Sequence, residues 1–468
     1  MLTYRLLALI ITQGLLLSSL PSTGLGDIGV PPRVSEITVL CYMNGDNNLG
    51  QEVLHALDMM ETVGSSSTVN VVALVDSHPR WLAPYDEAWS RTRLLRLQAD
   101  PRIGRITSPI LEEWGEADLG APQTLERFVR TALARFPAQR YLFYSFAHGQ
   151  GVIDTRCYDP PLLPAKTVSF SRDDTSGGKL SLDQFHTALQ KGLDGERFDL
   201  MVLFSCLANM VEVGYTLRDV TRLLVSSQDE IRLVNQPPGQ YQIRGLRFEE
   251  LIAGLHSGRA PDITSLSRAL VDSHVDSYDQ DVLLKTGGGD NQTCRFAGSM
   301  ALVDTTAMPQ LATAMDRLAQ LLIRYKNDPT TVRAMQRSLS ATQPFASFMD
   351  LEYYDLEGFL QNLGAGLCQP DLETACDRIL DVLNARVVVY ARRTPDLPAN
   401  GMSIYLSHPL VPENIFNAHQ FLYRANAFSR DTKWDEMIRI FRPRLRALRA
   451  NAHSSIKKAG PAMRARFQ

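Results

Sequence analysis

The sequence has 468 residues, with 48 Lys and Arg against 51 Asp and Glu, so its formal net charge is −3. This near balance excludes the strongly basic proteins that bind nucleic acid or an anionic membrane through charge, and we expect no nucleic-acid partner. Hydrophobic residues make up 44% and charged residues 21%, which is typical of a globular protein and excludes wholesale disorder.

The first 24 residues have the order of a secretory signal peptide. Arg5 supplies a positive charge, residues 6–20 are largely apolar, and small residues follow at Ser22 and Gly24. The apolar stretch is short for a membrane span of about 20 residues, and an uncleaved signal anchor is the alternative. The sequence therefore predicts a secreted or periplasmic protein with no stable membrane span once residues 1–24 are removed.

Apolar runs of strand length alternate with amphipathic stretches from residue 33 to about residue 285. The runs predict buried strands at 36–43, 69–76, 140–147, 198–205 and 222–226. The amphipathic stretches predict helices at 49–63, 124–136, 182–193 and 207–217. Residues 77–119 predict loops and short antiparallel pieces, and the polar residues 152–178 predict a surface excursion. Strands joined by crossover helices pair in parallel, so the fold class is α/β, with helices on both faces of a mostly parallel sheet.

A glycine run at 287–289 predicts a boundary between two domains, of which the first is the α/β domain at 33–285. Residues 290–468 predict a smaller α+β domain, with helices at 305–326 and 355–364, strands at 386–392 and 401–406, and a final helical region. After Glu436 the chain has nine Lys or Arg and no Asp or Glu. We expect the last helix to have a basic side that faces solvent.

Two chemically active residues follow predicted buried strands directly, namely His148 and Cys206. Functional groups gather at the carboxyl ends of parallel strands, so neighbouring strands would direct both residues toward one crevice. A thiol is a capable nucleophile when a base takes its proton, and the N–H groups of Gly149 and Cys206 could hold an oxyanion. A buried structural cysteine and an unrelated loop histidine are the alternative.

Several segments of the sequence resemble one family, the clostripain-like cysteine peptidases, which are relatives of the caspases and gingipains. Tyr42–Leu49 (YMNGDNNL) resembles the opening strand and loop of the family, Ala147–Gly151 (AHGQG) its His-Gly catalytic motif, and Cys206–Val213 (CLANMVEV) its nucleophile segment. The similarity continues at Ser299–Asp304 (SMALVD), Asp355–Leu360 (DLEGFL), Gly401–Tyr405 (GMSIY) and Trp434. The resemblance therefore covers most of the chain, from about residue 36 to about residue 440.

The resemblance implies a caspase-like αβα sandwich with a C-terminal domain, and a protein or peptide as substrate. It implies a catalytic dyad in which Cys206 is the nucleophile and His148 the general acid and base. Members of the family cleave after Arg or Lys, several mature by self-cleavage between the His and Cys strands, and some respond to calcium. The sequence suggests no third group that would orient His148.

The sequence departs from the family pattern in the pocket that selects the substrate residue. The family places an Asp two residues before the nucleophile, where this chain has Phe204. Asp229 and Glu230, in the loop after the next strand, could supply the missing carboxylate or could be solvated loop charges. Two alternatives therefore stay open: an active peptidase with a non-basic preference, and a non-catalytic binding protein on the same scaffold.

Self-cleavage, if it occurs, is expected in the polar excursion between His148 and Cys206. The candidate sites there are Arg156, Lys166, Arg172 and Lys179. An uncut surface loop is the alternative.

Calcium is the one cofactor that the resemblance suggests, and Asp46, Asp173 and Asp174 are its candidate ligands. The sequence alone does not indicate the six to eight converging oxygens that calcium requires. The six cysteines are too few for a disulfide scaffold, although Cys368 and Cys376 could close a small loop.

Overall fold

The computed structural model describes residues 34–83, 85–86, 89–153, 170–231, 247–257, 261–278, 282–285, 291–294, 296–345, 353–409 and 411–458. The predicted signal peptide at 1–24 and the candidate cleavage sites Arg156 and Lys166 lie outside these residues. Within the described ranges, no helix is long and apolar enough to cross a bilayer.

The chain forms sixteen strands in the described residues. They are β1 (Ser35–Gly45), β2 (Val69–Ser77), β3 (Thr92–Arg96), β4 (Ile110–Gly115), β5 (Ala138–Phe146), β6 (Ser171–Arg172), β7 (Lys179–Leu180), β8 (Phe198–Phe204), β9 (Thr221–Ser226), β10 (Val282–Lys285), β11 (Asn291–Cys294), β12 (Ser299–Asp304), β13 (Pro344–Phe345), β14 (Tyr353–Asp355), β15 (Val388–Arg393) and β16 (Ser403–Tyr405). Nine of them form one sheet, in the order β15-β12-β9-β8-β5-β1-β2-β3-β4. The five central strands from β9 to β2 are parallel, and the strands at both edges are antiparallel.

The described residues also form thirteen α-helices. They are α1 (Gly50–Glu61), α2 (Pro122–Arg135), α3 (Leu182–Leu193), α4 (Val211–Thr216), α5 (Phe248–His256), α6 (Ile263–Asp276), α7 (Met308–Arg324), α8 (Pro329–Ala341), α9 (Leu356–Gly364), α10 (Pro370–Val382), α11 (Glu413–Tyr423), α12 (Ala427–Asp431) and α13 (Trp434–Lys458).

Alternate side chains of the central strands enter two different cores, which the helices cover. In β1, Leu40 and Tyr42 pack on one face with α2 and α3, whereas Val39, Cys41 and Met43 pack on the other face with α1, α5 and α6. Period-two alternation with both faces apolar explains why these strands appear in the sequence as continuous apolar runs. The predicted αβα sandwich around a mostly parallel sheet is confirmed.

The large sheet continues beyond the glycine run that was expected to separate two domains. β12 pairs antiparallel with β9, and β15 pairs with β12, so residues 299–304 and 388–393 extend the same sheet. The core on the α2 and α3 side also includes apolar residues of α7, α9 and α10. The two predicted parts of the chain therefore share one sheet and one core.

Part of the predicted surface excursion is buried rather than exposed. Residues 170–180 form a two-stranded hairpin, β6 with β7, in which Ser171 and Asp173 are each 1% exposed. The side-chain amides of Asn44 and Asn47 donate to the carbonyl oxygen of Arg172 at 3.0 and 2.9 Å. These hydrogen bonds tie the hairpin to the loop after β1.

Several elements of the structure were not predicted, and one element after Cys206 differs from its prediction. The unpredicted elements include helices α5, α6, α8 and α10 and strand β12. The helix expected at 207–217 begins only at Val211, because residues 205–210 form the turn that leads out of β8. Cys368 and Cys376, which could have closed a small loop, are both free cysteines, and Cys376 is buried within α10.

The C-terminal half is anchored to α4 by a buried carboxyl group. Glu212 is 0% exposed, and its Oε1 accepts hydrogen bonds from the Tyr405 N–H at 3.0 Å and from the Tyr423 hydroxyl at 2.8 Å. Burial raises the pKa of Glu212 to about 7, and these hydrogen bonds oppose part of that shift. Since α4 follows the Cys206 turn, this anchor positions the segment after Cys206 against β16 and α11.

The raised pKa of Glu212 predicts a specific pH dependence of stability. Because the pKa is higher in the folded than in the unfolded state, the folded protein binds more protons, and the free energy of unfolding falls as pH rises from about 4 to about 7. Glu212→Gln keeps an acceptor for both hydrogen bonds and removes the titration. In denaturant unfolding at several pH values, the free energy of unfolding of Glu212→Gln should therefore fall less between about pH 4 and about pH 7 than that of the wild type. The difference should be on the order of 3 kcal/mol.

The control for this prediction is Glu357→Gln, which changes a half-buried glutamate on α9. Its unfolding free energy should keep the wild-type pH dependence. Equal pH dependence in wild type and Glu212→Gln would contradict the buried-carboxyl interpretation.

Candidate active site

The two predicted catalytic residues lie at the ends of neighbouring parallel strands. β5 and β8 pair so that Phe146 is opposite Phe204, and His148 and Cys206 each follow two residues later. Both side chains are half-buried and line one cavity of about 260 Å³. The arrangement expected from the sequence, an imidazole and a thiol at one crevice, is therefore present.

Gly149 allows the His148 loop to lie directly on the Cys206 backbone. A Cβ atom added at residue 149 would be 2.5 Å from the Cys206 carbonyl oxygen and 2.7 Å from Cβ of Ser205. The Ser205 hydroxyl donates to the carbonyl oxygen of Ala147 at 3.0 Å, which adds a second link between the two loops. A side chain at 149 would force the loops apart. That the N–H groups of Gly149 and Cys206 hold an oxyanion stays a prediction.

A residue that the sequence analysis missed contacts the ring of His148. Oδ1 of Asn48 lies 2.9 Å from Nε2 of His148. An amide oxygen only accepts hydrogen bonds, so with the Asn48 amide in this orientation Nε2 carries the ring proton of the neutral histidine and Nδ1 is its basic nitrogen. Asn48 lies in the loop after β1, the strand that pairs with β5 on the side opposite β8. Knowledge of that strand order would have drawn attention to this loop.

Burial keeps both members of the dyad neutral in the resting protein. The pKa of His148 is lowered to about 4 by burial and by the charge of Arg172, with an opposing effect of Asp174. The pKa of Cys206 is raised to about 11, chiefly by burial and also by the negative charges of Glu230 and Asp229. A neutral imidazole beside a neutral thiol can act as a general base at pH 7.

The loop after β9 covers the thiol. The N–H of Ile231 donates to Sγ of Cys206 at 3.2 Å, and this hydrogen bond partly offsets the rise in the thiol pKa. The same loop supports the turn after Cys206, because the carbonyl oxygen of Asp229 accepts from the Leu207 N–H at 3.2 Å. Leu207 has a φ of 57°, a left-handed conformation that costs energy for a residue other than glycine.

The predicted pocket residues have different positions relative to the cavity. Phe204 lines it and is 3% exposed, with its ring edge-on to that of Phe146 at a centroid distance of 4.8 Å. Asp229 and Glu230 lie near the thiol but are not among the described residues that line the cavity. The carboxylate that does line it is Glu52, from the first turn of α1, which the sequence analysis did not consider.

Three carboxylates converge at the base of the hairpin. Ligand oxygens of Asp46, Glu116 and Asp173 lie within 4.8 Å of one another, and burial is the main reason that the pKa of Asp173 is raised to about 7. Such a set fits part of the six to eight oxygens of a calcium site. Asp174, the other candidate ligand, instead forms an ion pair with Arg172. Calcium binding at this cluster stays a prediction.

The comparisons agree with the geometry of the site. The sequence profile of the clostripain family of C11 peptidases matches residues 41–441. The chain belongs to the clostripain family. Clostripain from Hathewaya histolytica is 27% identical over 194 residues, a match that covers 39% of this chain and only 36% of that protein's own length.

Solved structures of C11 peptidases have a similar fold. A secreted C11 cysteine protease from Bacteroides thetaiotaomicron, bound to an irreversible peptide inhibitor, has a TM-score of 0.59 at 19% identity, over 86% of this chain and 100% of that one. An inactive zymogen from Parabacteroides distasonis has a TM-score of 0.56 at 16% identity, over 86% and 99%. At these identities the likeness supports the fold, and the site must be judged from its own residues.

The Asn48 contact gives a testable role for a positioning residue in this clostripain-family site. Asn48→Ala removes the acceptor that fixes the tautomer of His148, and we expect kcat for a peptide substrate to fall about 10-fold with little change in KM. Asn48→Asp places a carboxylate charge beside Nε2, so it should raise the pKa of His148 and move the acid limb of the kcat/KM profile to higher pH. A wild-type pH profile in Asn48→Asp, with kcat of Asn48→Ala within twofold of wild type, would contradict this role.

Proposed function

We propose that this chain is an exported cysteine endopeptidase that cleaves peptide bonds with Cys206 and His148. The observation that carries the proposal is the shared cavity at the ends of β5 and β8, with the imidazole hydrogen bonded to Asn48. Family membership supports the reaction class. The apolar segment after Arg5 supports export, as does the fact that a similar structure is described as a secreted protease.

The proposed reaction begins with proton transfer within the dyad. Nδ1 of His148 takes the proton of the Cys206 thiol as sulfur attacks the carbonyl carbon before the scissile bond. The N–H groups of Gly149 and Cys206 donate to the oxyanion that forms. The imidazolium then protonates the leaving amine, which departs and leaves a thioester. A water molecule, deprotonated by His148, hydrolyses the thioester and restores the thiol.

The central test is cleavage of a fluorogenic peptide library varied at the residue before the cut. We expect cleavage by the mature protein, and a loss of at least about 1000-fold in Cys206→Ala and in His148→Ala. A thiol-reactive peptidyl inhibitor should label Cys206 in the wild type. Folding of each variant is checked by circular dichroism. If properly folded and processed protein shows no Cys206-dependent cleavage and no labelling, the scaffold serves a non-catalytic binding role and the proposal is wrong.

Self-processing between His148 and Cys206 is a second part of the proposal. Arg172 and Lys179 lie in the paired strands β6 and β7, and the Arg172 carbonyl is already held by two side-chain amides. A protease must extend a peptide along its cleft, so cutting at these two residues would first require the hairpin to open. Arg156 and Lys166 are therefore the favoured sites of the four.

Intact-mass and N-terminal analysis of the purified protein tests this choice. We expect a new N-terminus at residue 157 or 167, absent in Cys206→Ala and in the double variant Arg156→Ala/Lys166→Ala. Arg172→Ala is the matched variant within the hairpin and should leave the cut in place. A new N-terminus at 173 or 180 would contradict the assignment, and a single uncut chain in an active preparation would exclude self-processing.

A further inference from the structure

The loop that carries His148 is held by a side chain from the C-terminal half of the protein. The hydroxyl of Tyr353, in β14, donates to the carbonyl oxygen of Gln150 at 2.7 Å. The same hydroxyl accepts a hydrogen bond from the N–H of Ile153 at 3.3 Å. One side chain therefore binds the backbone on both sides of the turn at 151–152, a few residues after the imidazole.

The Tyr353 ring is packed directly against this turn. Tyr353 is 0% exposed, so water cannot replace a hydrogen bond that its hydroxyl loses. Gly151 has a φ of 69°, and a Cβ atom added there would lie 2.7 Å from Cε2 of the Tyr353 ring and 2.6 Å from Sδ of Met210. The glycine thus lets the His148 loop pack on the ring and on the segment after Cys206.

The small sheet that provides Tyr353 also holds the segment after Cys206. β14 pairs antiparallel with β16, and Tyr353 lies opposite Tyr405 in that pair. In β16, the N–H of Ser403 donates to the carbonyl oxygen of Asn209 at 3.0 Å. The sheet β13-β14-β16 therefore contacts the chain just after each member of the dyad.

We propose that Tyr353 is a positioning residue for the dyad, whose hydroxyl keeps His148 within reach of Cys206 during both proton transfers. This inference rests on the proposed peptidase function and adds a residue that supports the reaction from the C-terminal half of the chain. Strand pairing and Gly149 bring the His148 loop to the Cys206 backbone, and the Tyr353 hydroxyl holds the other end of that loop. Because Tyr353 is fully buried, it acts through His148 and not through contact with substrate.

Tyr353→Phe removes the hydroxyl and keeps the ring. For a fluorogenic peptide substrate, kcat should fall about 20-fold while KM stays within about twofold, because a displaced base slows proton transfer without removing a substrate contact. A matched control is Tyr42→Phe, which removes another fully buried hydroxyl that donates to a backbone carbonyl, that of Leu119 at 2.8 Å.

Both tyrosine variants should lower the midpoint of denaturant unfolding, because each loses a buried hydrogen bond. Only Tyr353→Phe should lose activity, and kcat of Tyr42→Phe should stay within about twofold of wild type. The same kcat in Tyr353→Phe and Tyr42→Phe would overturn the inference.

Gly151→Ala gives a second test of the same contact. The added methyl group would collide with the Tyr353 ring and displace the loop from the hydroxyl. In the Gly151→Ala background, Tyr353→Phe should lower kcat by no more than about threefold further, since changes at residues in contact are not additive. A fall of about 20-fold from Tyr353→Phe in both backgrounds would show that the hydroxyl does not act through this loop, and the inference would be wrong.

Titration of His148 reports the position of its ring without turnover. Burial is the main reason that the pKa of His148 is lowered to about 4. The charged and titratable groups around the ring are Arg172, Asp174, Glu52 and Cys206. These groups stay in Tyr353→Phe, whereas a looser loop lets water reach the ring. The pKa of His148 should therefore rise by about one unit or more in this variant.

The pKa is measured by NMR of isotope-labelled histidine, with the His148 signal assigned as the one absent from His148→Gln. The Cys206→Ala background is used, so that neither self-cleavage nor thiol titration affects the comparison. Tyr42→Phe should keep the low pKa of His148. If the protein cleaves peptides but His148 titrates alike with and without the Tyr353 hydroxyl, the inference is wrong and the peptidase proposal stands. A raised pKa in Tyr353→Phe without any peptide cleavage would support the Tyr353 contact and refute the peptidase proposal.

Discussion

The parallel pairing of β5 with β8 is the constraint on which the site depends. Its register places Phe146 opposite Phe204, so that His148 and Cys206 leave the sheet side by side. Close approach of the two loops then requires Gly149, since a Cβ there would collide with the Cys206 carbonyl oxygen. The relative position of the His148 and Cys206 backbones is thus set by strand pairing and one glycine.

The C-terminal half of the chain completes this arrangement by holding the turn after Cys206. Oε1 of Glu212 accepts from Tyr405 and Tyr423, and the Ser403 N–H donates to the carbonyl oxygen of Asn209 at 3.0 Å. Gln228, in the loop over the thiol, donates to Asp355 at 3.1 Å. These buried contacts stabilise the turn in which Leu207 has a left-handed backbone conformation. The segment after Cys206 is therefore held in place by residues from both halves of the chain.

The sequence predicted what depends on local pattern and missed what depends on strand order. Central strands were predictable because they are buried on both faces, and His148 and Cys206 because each directly follows such a strand. Asn48 and Glu52 could not be identified, since they line the cavity only because β1 pairs with β5 on the side away from β8. The expected domain boundary, placed at 287–289, depended on a local glycine signal, whereas β12 returns to the edge of the same sheet.

Charge in the cavity links substrate recognition to activation of the nucleophile. In the resting protein burial and the charges of Asp229 and Glu230 raise the pKa of Cys206, so the thiol keeps its proton. A cationic substrate side chain would bring a positive charge into the same cavity, which favours the thiolate and lowers the pKa of Cys206. A neutral substrate of the same shape brings no such effect. The charge of a substrate side chain should therefore affect the chemical step as well as binding, because that charge also stabilises the attacking sulfur.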